Sequence, residues 1–172
     1  MTYYDFVKGY MKVDECKNNK KYSSAGHTFC WSKEDLTYAE GLYWFYEGDG
    51  FIIDVHDFYI REEVVQNSTY SMADYVSIYS SYIVSANGEK FGPYQTLTAN
   101  SLCTLDFDNI KDDFLFLLHE NCYYLAVSIG FKKEFLEKHL AAINIDTESF
   151  YSTLLQTNQI ILTKSLEKVA ME

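Results

Sequence analysis

The sequence predicts a mainly β fold with C-terminal helices: an antiparallel sandwich or barrel followed by an antiparallel helix pair. Three observations predict it. Residues 42–60, LYWFYEGDGFIIDVHDFYI, read as strand, tight turn, strand. Gly48-Asp49-Gly50 supplies residues that tolerate positive φ between two aromatic and β-branched runs. Roughly seven or eight such short runs, separated by turn signals, occupy the chain up to Gly130. After Gly130 the apolar period changes from two to that of a helix.

The N-terminal end is the least patterned. Residues 3–11 are rich in Tyr and read as a short strand, and residues 17–21 as a polar turn. A second short strand is expected at residues 28–31, before the hairpin. Residues 61–71 lack a sustained period and read as a loop. Residues 75–85 alternate as a strong strand. Val76, Ile78, Ser80, Tyr82 and Val84 form its more apolar face and are expected in the core. Asn87-Gly88 signals a turn. The only proline, Pro93, marks residues 91–98 as irregular or an edge. Residues 101–107, 114–119 and 123–129 read as further strands around an acidic turn at 106–113. Beyond them Phe131, Phe135, Leu136, Leu140 and Ile143 share one helix face. Asp146 is expected to cap a second helix carrying Phe150 and Leu154, and Thr163 a short third one.

Composition narrows the function. The 172 residues are enough for one domain with a real core, and 48% are apolar. The net charge is −11, and Arg61 is the sole arginine among 14 basic residues, so no basic stripe exists to grip a phosphate backbone. The N-terminus lacks a signal-peptide pattern, and no apolar run is long enough to span a membrane. The four cysteines form no CxxC motif. They are expected to be reduced thiols in a cytoplasmic protein. Abundant Lys, Asn, Ile and Tyr with little Arg suggests an AT-rich, bacterial coding genome.

Catalytic patterns are missing. The sequence has no HxH pair, no GxSxG motif, no glycine-rich phosphate loop and no cysteine with a recognisable partner. Neither an enzyme nor a metal or cofactor is expected. A fold of this class with an aromatic interior is instead a ready small-molecule cavity, in which a few polar side chains orient the ligand. Trp44 and Tyr46 share one strand face, and Asp54, His56 and Phe58 share another; which face points inward is open. With Tyr82 and His119 these are the candidate ligand contacts.

Several landmarks carry a resemblance. They are His56-Asp57-Phe58, then Asp74-Tyr75-Val76-Ser77-Ile78, then Gly92-Pro93-Tyr94-Gln95-Thr96-Leu97. Phe116-Leu117-Leu118-His119 follows, and Ser128-Ile129-Gly130-Phe131-Lys132-Lys133-Glu134-Phe135-Leu136 leads into the first helix. Their order resembles the N-terminal regulatory domain of AraC-type bacterial transcription regulators, in the low-GC branch. The resemblance implies a cupin-like antiparallel β-barrel or jelly roll over residues 1–130 that senses a small-molecule effector. Residues 131–172 would form a helical dimerisation segment and the start of a linker helix. Phe135, Leu136, Leu140 and Leu154 would line a homodimer seam, and residues 2–11 could fold over the mouth of the barrel. DNA would be bound only by a C-terminal helix-turn-helix domain, which this chain lacks. The alternatives are a stand-alone cupin-type metal-dependent enzyme and a carbohydrate-binding jelly roll.

Overall fold

The structure is a computed structural model, and it describes residues 1–19, 21–31, 38–67, 72–92, 94–108, 115–146, 148–150 and 152–153. Its framework is two antiparallel sheets, not a closed barrel. The elements are α1 (Tyr3–Met11), β1 (His27–Trp31), β2 (Ala39–Gly48), β3 (Phe51–Ile60), β4 (Val64–Asn67), β5 (Ile78–Ser85), β6 (Asn87–Phe91), β7 (Gln95–Thr98), β8 (Ser101–Asp106), β9 (Leu115–Leu118), β10 (Cys122–Phe131) and α2 (Lys133–Ala142). The six-stranded sheet runs β1-β2-β3-β10-β5-β8 and the four-stranded sheet β4-β9-β6-β7. Ile60, Ile83, Leu97, Leu118 and Ala126 pack together between the two sheets.

The hairpin of β2 and β3 forms as its sequence predicts. Gly48 pairs with Phe51, and Gly50 takes a φ of 86° that a side chain would resist. This register sets Tyr43 opposite His56 and Phe45 opposite Asp54. The long strand β10 then pairs with β3 on one side and β5 on the other, which makes β3 and β10 the middle of the larger sheet.

Four local expectations are corrected. Residues 3–11 are a helix, not a strand. Thr2 and Asp5 form a reciprocal capping box, Lys12 closes the far end in the left-handed region, and Tyr3, Val7 and Met11 form a buried stripe. Tertiary packing of that stripe overrides the strand propensity of its tyrosines. Residues 64–67 are a strand paired with β9, not loop. Asn87-Gly88 begins β6 instead of making a hairpin turn, because β5 and β6 belong to different sheets. A Cβ at Gly88 would stand 2.2 Å from the Leu117 carbonyl oxygen, so this glycine permits close strand approach. Finally, the expected core face of residues 75–85 holds only at its start: Val76 and Ile78 are buried as expected, but Tyr82 and Val84 are exposed, and Tyr79, Ser81 and Ile83 of the other face are buried. The inner face is the more polar one because its hydroxyls are hydrogen-bonded inside: Tyr79 to Asp54, and Ser81 to Ser128.

The expected reduced state of all four cysteines is also corrected. Cys16 and Cys30 are joined by a disulfide, while Cys103 and Cys122 are free. The Cys16 amide donates to the Thr28 carbonyl at 2.6 Å, laying residues 15–16 alongside β1. The expected cytoplasmic location leaned on reduced thiols and loses that support. With a sequence separation of 14, the chain-entropy relation gives the bond about 3 kcal/mol. Urea melts of Cys30→Ala, or of the reduced protein, should show a loss of that size. No helix among the described residues is long and apolar enough to cross a membrane.

On the outer side α2 covers the end of the large sheet, with Leu136 and Leu140 packed on Ile78, Phe131 and Phe150. Asp146 accepts a hydrogen bond from the Ser149 amide at 2.9 Å and starts a further helical turn at residues 148–150. Leu154 and the expected third helix lie outside the described residues, so the helix pair is seen only in its first member and the start of its second.

Candidate functional site

The space between the sheets holds two adjoining chambers that share lining residues. The inner one, about 130 Å³, has a floor formed by Tyr79, Ser81 and Ile83 of β5 with Cys103 and Leu105 of β8. Phe116 and Leu118 of β9 face them from the smaller sheet. The outer chamber, about 420 Å³, opens between Trp31, Tyr38 and Ile60 on one side and Val64 and Val65 on the other. Tyr10 and Met11, the last turn of α1, close part of its mouth. His56, Phe58, Gln66 and Leu118 line both chambers and so form the neck between them.

His56 stands on the inward face of β3 because Asp54, His56 and Phe58 alternate with outward residues. Its ring meets Tyr43, Phe58 and Tyr124 with centroids 4.9, 6.0 and 5.6 Å away. Behind it Asp54 is fully buried, at 0% exposure. Asp54 Oδ2 accepts hydrogen bonds from the Tyr79 hydroxyl at 2.6 Å and the Tyr43 hydroxyl at 3.0 Å. The Tyr43 hydroxyl is also 2.7 Å from the Tyr3 hydroxyl, so an unbroken polar chain leads from α1 to β5. Asp54 Oδ1 and His56 Nδ1 lie 3.4 Å apart, and neither forms a hydrogen bond among the described residues. The indole Nε1 of Trp31, in the outer chamber, is likewise buried with no hydrogen-bond partner among the described residues.

Burial dominates the electrostatics here. It lowers the His56 pKa, against the opposing pull of Asp54, which keeps the imidazole neutral near pH 7. Burial and then the Asp54 charge raise the pKa values of Tyr3, Tyr43 and Tyr79 well above the ordinary phenol range. All three therefore stay protonated and able to donate. Burial pushes the Cys103 thiol up to about 11, with Lys90 pulling the other way, so this cysteine is inert.

The candidate contacts named from the sequence separate into groups. His56 and Phe58 line the chambers, and Asp54 supports His56 from behind. Trp44, Tyr46 and Tyr82 lie on the opposite face of the large sheet and line neither chamber. Trp44 Nε1 donates to the Ser23 carbonyl at 2.9 Å, and the Tyr82 hydroxyl to Asn100 at 3.1 Å. His119 sits outside, 3.3 Å from Glu63 and 2.8 Å from Glu89. The hydrogen bond to Glu63, and next the field of Glu89, raise its pKa. No group of His, Cys, Asp and Glu that could hold a metal ion occurs among the described residues. Of the dimer candidates, Leu136 and Leu140 are buried within the chain and Phe135 stacks on Phe131 and His139.

Sequence reasoning did not single out Tyr43, Tyr79, Tyr124 or Trp31. Tyr43 carried a usable signal: a turn pairing Gly48 with Phe51 sets it opposite His56. Tyr79 and Tyr124 reach the site through pairings of β10 that are remote in sequence, and Trp31 through the pairing of β1 with β2.

A second buried carboxylate, Asp57, faces the other side of β3 and serves as an anchor. It is paired with Lys21 and accepts from the Tyr123 hydroxyl at 2.7 Å and the Tyr22 hydroxyl at 2.8 Å. Burial alone would raise its pKa, but the hydrogen bonds from Lys21, Tyr123 and Tyr22 outweigh it, and the net shift is down. A carboxylate with a depressed folded-state pKa stabilises the fold above its unfolded value of about 3.9, and this is lost as pH falls through the folded one. The stability gap between the wild type and Asp57→Asn should therefore be widest near pH 7 and close in acid. A urea-midpoint series against pH checks this.

No family model and no curated protein matches this chain.

Proposed function

We propose that this chain is the small-molecule-sensing and dimerisation domain of an AraC-type transcription regulator, built as a cupin-like jelly roll. The observation that carries the sensing half is the cavity between the sheets, whose neck holds a neutral histidine backed by a buried carboxylate. Buried polar atoms without partners carry a desolvation cost that a ligand can relieve. The cavity also adjoins a part that can respond. Tyr10 and Met11 of α1 stand at the mouth, and Tyr3 of the same helix joins the hydroxyl chain that ends on Asp54. A ligand that engages His56 with α1 docked then favours the docked arrangement, and differential affinity of that kind is what shifts a population. DNA contact would fall to a separate helix-turn-helix region. A homodimer seam on α2 would use the edge of Phe135 and the exposed Ile143 and Ile145.

Indole is a suitable probe, being compact and apolar with one N–H donor. It should raise the unfolding temperature of the wild type and slow deuterium uptake over residues 3–11. His56→Gln should fold normally and weaken both effects. A wild type that responds in neither measurement removes the sensing role, and sedimentation as a monomer at high concentration removes the dimer.

A further inference from the structure

The chambers are unevenly charged, and this bears on what they accept. Among their described lining residues there is no Lys or Arg. Lys90, a buried cation whose charge is felt at Cys103, lines neither chamber. The acidic groups are closer. Glu63 lines the outer chamber, next to His119, and Asp54 stands directly behind His56 in the neck. Asp54 takes its hydrogen bonds from two phenols, which share its charge without cancelling it. An anionic ligand would thus meet no cation among the described lining residues, and a carboxylate behind the wall. A cation would meet the opposite situation.

The walls fit a cation as well. Phe58, Tyr124 and Phe116 line the inner chamber, and Trp31, Tyr38 and Tyr10 the outer one. Trp31 and Phe58 meet edge to face with centroids 5.7 Å apart, and Phe58 and Tyr124 are 5.4 Å apart. The negative faces of such rings attract a desolvated cation. The polar atoms refine the match. An acceptor oxygen at 3.4 Å favours the proton of His56 on Nδ1, which leaves Nε2 as the acceptor of the ring. The buried indole N–H of Trp31, which has no acceptor among the described residues, is a donor that a ligand can use.

We propose that the cavity takes a compact organic cation: a protonated amine on an aromatic or alicyclic body, with its N–H directed to His56 backed by Asp54, and an acceptor oxygen on the body meeting Trp31 Nε1. This rests on the sensing reading and adds the chemical class of the ligand.

Phenethylamine, phenethyl alcohol and phenylacetate form a matched set differing mainly in charge. Calorimetric titration into the wild-type chain at pH 7 should rank them amine, alcohol, acid, with the amine about tenfold or more tighter than the alcohol. Asp54→Asn keeps the acceptor for Tyr43 and Tyr79, so its melt should stay cooperative, and the amine should lose its advantage over the alcohol. Glu62→Gln, at an exposed acid outside the lining, should leave the ranking intact. If this control weakens the amine as much as Asp54→Asn does, the amine reads only the net surface charge and the proposal fails. Alcohol or phenylacetate binding as tightly as the amine overturns the cation class and leaves the cavity a sensor of something else. If none of the three binds but indole does, the cation class fails alone; if indole fails too, the sensing reading falls with it.

Discussion

Asp54→Ala is expected to cost the fold about 3 kcal/mol, against about 1 kcal/mol for Asp54→Asn. Asp54 Oδ2 on β3 receives the hydroxyls of both Tyr43 of β2 and Tyr79 of β5, and all three groups are buried. Removing it leaves hydroxyls in a dry interior, and an unsatisfied buried group loses its full desolvation energy. Asn, with its carbonyl oxygen in the place of Oδ2, retains an acceptor for both, though an uncharged one. The measurement is a urea melt of each variant. A double-mutant cycle with Tyr79→Phe separates the hydroxyl bond from the cavity left by truncation, since Phe needs no acceptor. If Asp54→Ala melts within a few tenths of a kcal/mol of the wild type, the hydroxyl chain is not a structural unit, and its role in linking α1 to the cavity goes with it.

The polarity of this chain explains which features of the fold were legible in advance. The β2–β3 hairpin was legible because turn chemistry and alternation act within a few residues. Most other strands were located for the same local reason, and α2 by its period. The inference from apolar to buried held at Val76 and Ile78 and failed along the rest of β5, at Tyr82 and Val84. Its inner face carries Tyr79 and Ser81, which are stable inside only because Asp54 and Ser128 receive them. Those partners lie on β3 and β10, whose pairing spans much of the chain, and no local pattern reports it. The same holds for the Cys16–Cys30 bond and for Lys21 reaching Asp57. At the site, His56 and Asp54 stood out as polar residues in a run that wants burial. Trp44, Tyr46 and Tyr82 stood out for their rings alone, and they lie on the outer face. Aromatic content marks sheet surfaces on either side, and a buried carboxylate does not decide between them either: Asp54 stands behind the chambers and Asp57 faces outward.

Tyr3→Ala should cost about 3 to 4 kcal/mol and act more locally than its size suggests. Tyr3 is 2% exposed, sets its ring edge-on to Phe45 at 4.9 Å and to Tyr75 at 5.3 Å, and holds the Tyr43 hydroxyl. It is the first residue of α1, and a nine-residue helix is marginal without tertiary support. The helix can therefore release as a unit, and the loss cannot exceed the free energy that docks it. Release would carry Tyr10 and Met11 away from the outer chamber while β3 and β10 stay paired. Deuterium uptake should rise over residues 3–11 with little change over residues 51–60 and 122–131. Tyr3→Phe keeps the ring and removes only the hydroxyl, so it should cost about 1 kcal/mol and leave α1 docked. The pair of variants separates two ways α1 could be held. If Phe releases the helix as fully as Ala, the hydroxyl chain to Asp54 governs docking, and occupancy at His56 has a direct route to α1. If only Ala releases it, packing on Phe45 and Tyr75 governs, and a ligand must act through Tyr10 and Met11 at the mouth.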